Sequence, residues 1–330
     1  MVVALFKRNP TSSILIVPLF ALGFWLIGFI HPIQVVNKNT MPLFDWVFRA
    51  TVASPLLQNS LALLLLLAEA FFLNHICEKY NIVSKKTNFP ALVYVLLMST
   101  CSLFISMHPL LFANLFLLLS IDRILNSYHK DEAFAHVFDA GFYIGIASLF
   151  YFPAIVTFPM VWVGLIVIRT FVWREWIISF LGLLLPYVFI VTYYFWFDKL
   201  EFFLLDKIFY PSSDVKYSIS AEPGSFLFLC TVLVSVIALS FLKLTQGLPV
   251  NTILSRNTLV VFIWMIALSL LAFLMAPVLN LLYFSFVAIP VSIYIAHYFL
   301  TMKRTWIAEL LFTCWVVSMI VNFIFYRGIS

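Results

Sequence analysis

Long apolar runs alternate with short polar breaks along the whole chain. SILIVPLFALGFWLIGFI over 13–30, SLALLLLLAEAFFL over 60–73 and LYFSFVAIPVSIYIAHYFL over 282–300 show the pattern. At about 20 mostly apolar residues per crossing, the pattern predicts about eleven spans. They fall near 12–30, 55–76, 90–106, 109–125, 137–152, 154–171, 176–197, 225–243, 258–275, 277–299 and 305–326. Proline punctuates several of them at Pro18, Pro159, Pro186 and Pro290. Membrane helices tolerate such prolines where neighbours or water satisfy the freed carbonyls. Gly182 before Pro186 predicts a kink in the seventh span. No strong internal repeat is visible.

Composition excludes a soluble fold. Hydrophobic residues make up 64% of the 330 residues and charged residues 10%, where a soluble domain carries about 25% charge. The expectation is an all-α, polytopic transmembrane helix bundle forming a single domain over 1–330. The first span follows Lys7 and Arg8 as in a signal peptide. No small-residue cleavage site follows Ile30, so it reads as a retained helix.

Charge placement sets the expected orientation. With the N-terminus inside, the inner side holds Lys7, Arg8, Lys79, Lys85, Lys86, Arg123, Lys130, Arg169, Arg174, Lys243, Arg256, Lys303 and Arg304. Lys38, Arg49, Lys199, Lys207, Lys216 and Arg327 fall outside. The 19 basic residues thus divide 13 to 6, in the sense of the positive-inside rule. The C-terminus then lies outside. The net charge of +5 reflects this asymmetry and implies no nucleic-acid partner.

Two outer connections are long, 31–54 and 198–224. In PLFDWVFRA, Leu43, Trp46 and Val47 share a helical face, while Asp45 and Arg49 lie together on another side. In DKLEFFLLDKIFY, Leu200, Phe203, Leu204 and Ile208 recur at helical spacing, interrupted by Asp198, Glu201 and Asp206. Both segments are expected to be helices lying against the bilayer surface and closing over a shared cavity. The second continues into the polar, turn-rich PSSDVKYSISAEPG.

Few residues carry chemistry. Glu69, inside LLLLLAEAFFL, is a carboxyl in an apolar span, where a charge costs about 2.5 kcal/mol or more unless it is neutral, paired or watered. Its readings are a substrate, proton or ion site, or a hydrogen-bonded packing residue. It is expected to face the bundle, with Asn114 or a serine on a neighbouring span as donor. Asn114, Asn280 and Asn322 fit interhelical hydrogen bonds. Arg169, Arg174–Glu175 and Asp122–Arg123 fit anchoring and ion pairs at inner ends. Asp45 reads either as a base acting on a lipid-linked substrate, with Arg49 or His108 binding phosphate, or as part of a solvated helix face. Cys77, Cys101, Cys230 and Cys314 form no pair or metal-spaced cluster, so they read as buried hydrophobes, and no metal or cofactor is expected. Walker, GxSxG and HxxEH-type signatures are absent.

Two resemblances follow. HPLLFANLFLLLSIDRIL and the run from FDAGFYIGIASLFYFP through WREW to GLLLPY resemble an uncharacterised family of Bacteroidota inner-membrane proteins, which implies a compartment and no activity. The architecture, with a long outer loop after the first span and another after the seventh, resembles the C-class integral-membrane glycosyltransferases. That resemblance implies transfer from polyprenyl-phosphate sugars and an acidic residue in the first outer loop, which maps to Asp45. The second acidic site of that class falls on Ser106–Met107–His108–Pro109, which holds no carboxylate, and Asp45 comes later after the first span than is usual.

Three functions remain open from sequence. One is envelope assembly with glycosyltransferase-like architecture, acting on or binding a polyprenyl-linked glycan or lipid. Another is a non-catalytic membrane subunit of a secretion, gliding or export complex, partnered by other membrane proteins. A third is a transporter or flippase.

Overall fold

A computed structural model describes residues 2–8, 13–30, 41–83, 86–100, 104–130, 132–204, 207, 223–245, 253–274, 282, 284–302 and 304–325. Outside these fall Lys38, Lys85, Cys101, Asp206, Ile208, Lys216, Asn280, Lys303 and Arg327, with most of the polar run after Tyr210. Among the described residues there is no strand. The helices are α1 Val2–Arg8, α2 Ser13–Ile30, α3 Pro42–Thr51, α4 Pro55–Lys79, α5 Phe89–Met98, α6 Pro109–Asn126, α7 Phe134–Phe150, α8 Pro159–Ile168, α9 Trp173–Trp196, α10 Leu200–Phe202, α11 Pro223–Thr245, α12 Ile253–Leu274, α13 Phe284–Thr301 and α14 Thr305–Phe325.

Seven of them, α4, α6, α9, α11, α12, α13 and α14, are long and apolar enough to cross a membrane. Their outer faces carry large apolar side chains, such as Leu64, Phe189, Leu227 and Ile324, that water would not tolerate together. The protein is a helical membrane protein. Shorter apolar helices add to the bundle, among them α5 and α7.

Two expected spans are not single helices. In the run 90–106, α5 ends at Met98 and Ser99–Thr100 turn away from its axis. Ser99 accepts a hydrogen bond from the buried Trp25 indole (3.3 Å), which gives the broken end a polar partner. All ten residues of α5 are buried, so this half-length helix is the centre of the bundle, packed against α2, α4 and α13. The run 154–171 begins as a 3-10 turn over Phe152–Thr157 and becomes α8 only at Pro159, whose ring is suited to a first helical turn.

The tightest crossing is α7 on α9. A Cβ added at Gly141 would sit 2.0 Å from the Ser179 carbonyl oxygen, and one at Gly182 2.3 Å from that of Phe138. Gly141 and Gly145 are four apart, the small-residue spacing that lets membrane helices approach closely. Pro186 packs into the same seam against Gly145. This contact fixes where the last turns of α9 lie, and those turns build the site described next.

The bundle has two polar ends. At one, Lys79 pairs with Asp122 (2.8 Å), and Asp122 also accepts from Tyr80 (3.0 Å) and Asn126 (2.8 Å). Arg169 forks onto Glu175 (2.8 and 3.1 Å) and donates to the carbonyls of Ser127 (2.5 Å) and Lys130 (2.7 Å). Arg174 sits 5.9 Å from the Trp173 ring. The other end holds α3, the start of α6 and the end of α9.

Candidate functional site

The sequence of α3 dictates its own geometry. Pro42 opens the helix, Asp45 sits in its first turn and Arg49 in its last, each sign matching the helix dipole. Phe44 is fully buried and meets the Phe112 ring of α6 at 5.9 Å. Trp46 points outward and meets Tyr193 of α9 edge to face at 5.3 Å. The segment after α9 folds back through α10, and Phe203 stacks on Tyr194 at 4.9 Å. Met41, Leu149, Ile190 and Phe203 form a small core of their own there.

That fold-back places Lys207 beside Asp45, with Nζ 2.7 Å from Oδ2. The partners are 162 residues apart in sequence. Lys207 is only 4% exposed and Asp45 21%. The two segments expected to lie together do so, and an ion pair joins them. Sequence reasoning missed Lys207, which stood in a run that read as an amphipathic helix lying against the bilayer surface. Arg49 is exposed on the same helix. Tyr194 lies close enough to feel both Asp45 and Arg49. Aromatic side chains crowd this end: Trp196 is 80% exposed, with Phe195 and Phe197 beside it.

His108 does not join this group at a surface. It is the residue before α6, fully buried, and its ring meets Phe104 at 6.2 Å. Neither ring nitrogen has a hydrogen-bond partner among the described residues. Burial pushes its imidazole down to about 3. The expected outward-facing phosphate ligand is thus a neutral interior ring, because Pro109 and the apolar start of α6 draw the turn inward.

The second group is interior. Glu69 faces the bundle with 0% exposure. Its donor is the Tyr94 hydroxyl of α5 (2.8 Å to Oε2). Asn114 of α6 donates to that same phenol oxygen (3.3 Å) and to the Ser285 hydroxyl of α13 (2.7 Å). The expected donor Asn114 is therefore one step removed, and the serine two. Glu69 Oε1 and Asn114 Oδ1 have no partner among the described residues. Asn322 is buried on α14, its carbonyl oxygen likewise unpartnered.

Two cavities are described. One, of about 220 Å³, lies between the end of α5, α11 and α13, with Thr100, Phe104 and Ser285 in its wall. The other, of about 500 Å³, is an apolar groove between α2 and α14. Neither is lined by Asp45, Arg49, Lys207 or Glu69. Among the described residues no group of three or more His, Cys, Asp or Glu is placed to hold a metal ion. No family model, no curated protein and no solved structure matches the chain.

Proposed function

We propose that this protein serves cell-envelope assembly by binding a lipid-linked phosphate, a polyprenyl-linked glycan or lipid, where α3 meets the segment after α9. The observation that carries this reading is the Asp45–Lys207 pair, a carboxylate and a cation held together by two distant segments. The end that bears it is aromatic-rich, as at a headgroup interface, and the denser basic cluster lies at the opposite end, which supports an N-terminus on the cytoplasmic side.

The pair suggests how transfer would run. At rest Lys207 neutralises Asp45. A lipid phosphate competes for Lys207, with exposed Arg49 as a second cation. Asp45 is then released to take the proton of an acceptor hydroxyl as that oxygen attacks the anomeric carbon. The bond from that carbon to the phosphate oxygen breaks, and the phosphate leaves carrying the electron pair beside the two cations. Two substitutions separate binding from transfer. Lys207→Met weakens capture of a polyprenyl phosphate by protein in nanodiscs. Asp45→Asn keeps or strengthens capture, since it removes a competing anion, and abolishes transfer. Loss of capture in Asp45→Asn with normal capture in Lys207→Met would reverse the assignment.

A second reading, a non-catalytic subunit, draws on the groove lined by Phe20, Gly23, Phe24, Val316 and Ile320, which would seat a partner's membrane helix. Gly23→Trp fills it and releases a co-purifying subunit if that reading holds.

A further inference from the structure

The Glu69 group lies apart from the Asp45 pair and has its own logic. Four helices contribute one polar side chain each: Glu69 from α4, Tyr94 from α5, Asn114 from α6 and Ser285 from α13. Every one is buried. Each helix is otherwise apolar at this level, so the four have been brought together across the bundle. A polar group left unsatisfied in such surroundings is costly.

The direction of the bonds matters. Asn114 Nδ2 donates to Tyr94, and Tyr94 donates to Glu69 Oε2. Both donors therefore point toward the carboxyl, which supports negative charge there. Yet among the described residues no hydrogen bond reaches Oε1 or Asn114 Oδ1; the Leu115 backbone is the other donor close to the carboxyl. Two acceptors without a protein donor in one buried cluster favour a proton or a cation there. The oxygens of Tyr94 and Glu69 stand 2.8 Å apart, and the Asn114 amide nitrogen lies 2.7 Å from the Ser285 hydroxyl. Both are at hydrogen-bond spacing with the donors in place, so Oε1 can take a proton while Oε2 keeps its bond from Tyr94, and among the described residues no group of three or more His, Cys, Asp or Glu stands there to hold a cation.

The packed helices bring no countercharge close. On α4 the next ionisable groups are His75, Cys77, Glu78 and Lys79, more than a turn away. On α5 there is only Tyr94. On α6 they are Asp122 and Arg123 beyond two turns, with His108 just ahead of the helix. On α13 they are Tyr294, His297 and Tyr298, more than two turns on. Helix α2 has none. Ser285, the far end of the chain, stands in the wall of the cavity between α5, α11 and α13.

We infer that Glu69 is a reversible proton site, built by Tyr94 and Asn114 to hold either form and connected through Ser285 to that cavity. The donors stabilise the carboxylate when the proton leaves, and the proton satisfies Oε1 when it returns.

Dicyclohexylcarbodiimide tests this on the whole protein in nanodiscs. The reagent takes a proton from a carboxylic acid, and the carboxylate oxygen adds to its central carbon, so only the protonated form reacts. Peptide mapping should find the adduct on Glu69. Labelling should fall about tenfold per pH unit once the carboxyl ionises. Tyr94→Phe removes the donor that supports the charge, so its labelling should persist to higher pH. Asn114→Ala, which removes the donor behind Tyr94, should act in the same sense but less. Infrared spectra provide a second readout independent of reagent access. A protonated-carboxyl band absent from Glu69→Gln should be present and should disappear as pH rises. No such band, or a band that persists at every pH the fold survives, would overturn the proposal. So would a Tyr94→Phe profile identical to the parent's.

Discussion

Two carboxylates in this bundle have opposite companions. Asp45 sits at an end, one-fifth exposed, against a cation from another segment. Glu69 sits in the middle, fully enclosed, against a neutral phenol. The difference follows from what each place can supply. At the end, a long lysine can reach in from a surface segment, and its charge is compensated on arrival. In the middle, each added charge would need its own desolvation. A neutral donor, passed from helix to helix, satisfies a carboxyl there without importing a second ion. An end carboxylate can thus be exposed by a competing anion, while an interior one changes state only by gaining or losing a proton.

The largest effect that separates the two should come from the α7–α9 seam. Gly141→Val drives side-chain atoms into the Ser179 carbonyl and should cost about 3 kcal/mol or more. Because α9 carries Tyr194 and the fold-back, capture of polyprenyl phosphate should fail in the folded remainder, while a Glu69 infrared signature persists. Loss of both together, measured on the same nanodisc preparation, would show that the sites are not independent.

Next is Asp45→Ala. It strands a nearly buried lysine and should destabilise by about 2–4 kcal/mol, read as a lower thermal midpoint in detergent. Lys207→Met leaves the more exposed partner alone and should cost about 1 kcal/mol or less. Equal losses would mean that the pair is not buried as described.

Tyr94→Phe tests the interior side. It deletes the side-chain donor to Glu69 and should cost about 1–3 kcal/mol. A neutral result would mean that the phenol contributes packing alone.

His108 sharpens the comparison, since it is an interior ring with no hydrogen-bond partner among the described residues. Its imidazole is neutral in the folded protein down to about 3, while in the unfolded chain it takes a proton near ~6.5. Between those values the unfolded state binds more protons, so stability falls as pH falls. His108→Phe should remove roughly 2 kcal/mol of the loss between about pH 7 and pH 5. Parallel melting profiles for parent and variant would contradict this.

The sequence pattern revealed the bundle because lipid leaves long apolar runs uninterrupted; it singled out Glu69 because a carboxyl is conspicuous in such a run, and Asp45 because it lies with Arg49 on one side of an amphipathic segment in the first long outer loop. Their partners were hidden for opposite reasons. Lys207 looked like ordinary surface charge in DKLEFFLLDKIFY. Tyr94 looked like an ordinary aromatic in FPALVYVLLM, where period and hydropathy cannot distinguish a packing ring from a hydrogen-bond donor. The break after Met98 had a signal, the run Ser99–Thr100–Cys101–Ser102, which can satisfy a freed helix end locally. Gly141 and Gly145 also had a signal in their spacing. Span length alone, the measure that found the helices, is blind to both.

Native mass spectrometry of the protein released directly from its own membranes tests the outer site most directly. The parent should carry a lipid phosphate. Lys207→Met should lose it by at least about tenfold, a difference of about 1.4 kcal/mol, and Asp45→Asn should keep it. Equal lipid phosphate on parent and Lys207→Met, or none on any of the three, would contradict a headgroup site at the Asp45–Lys207 pair.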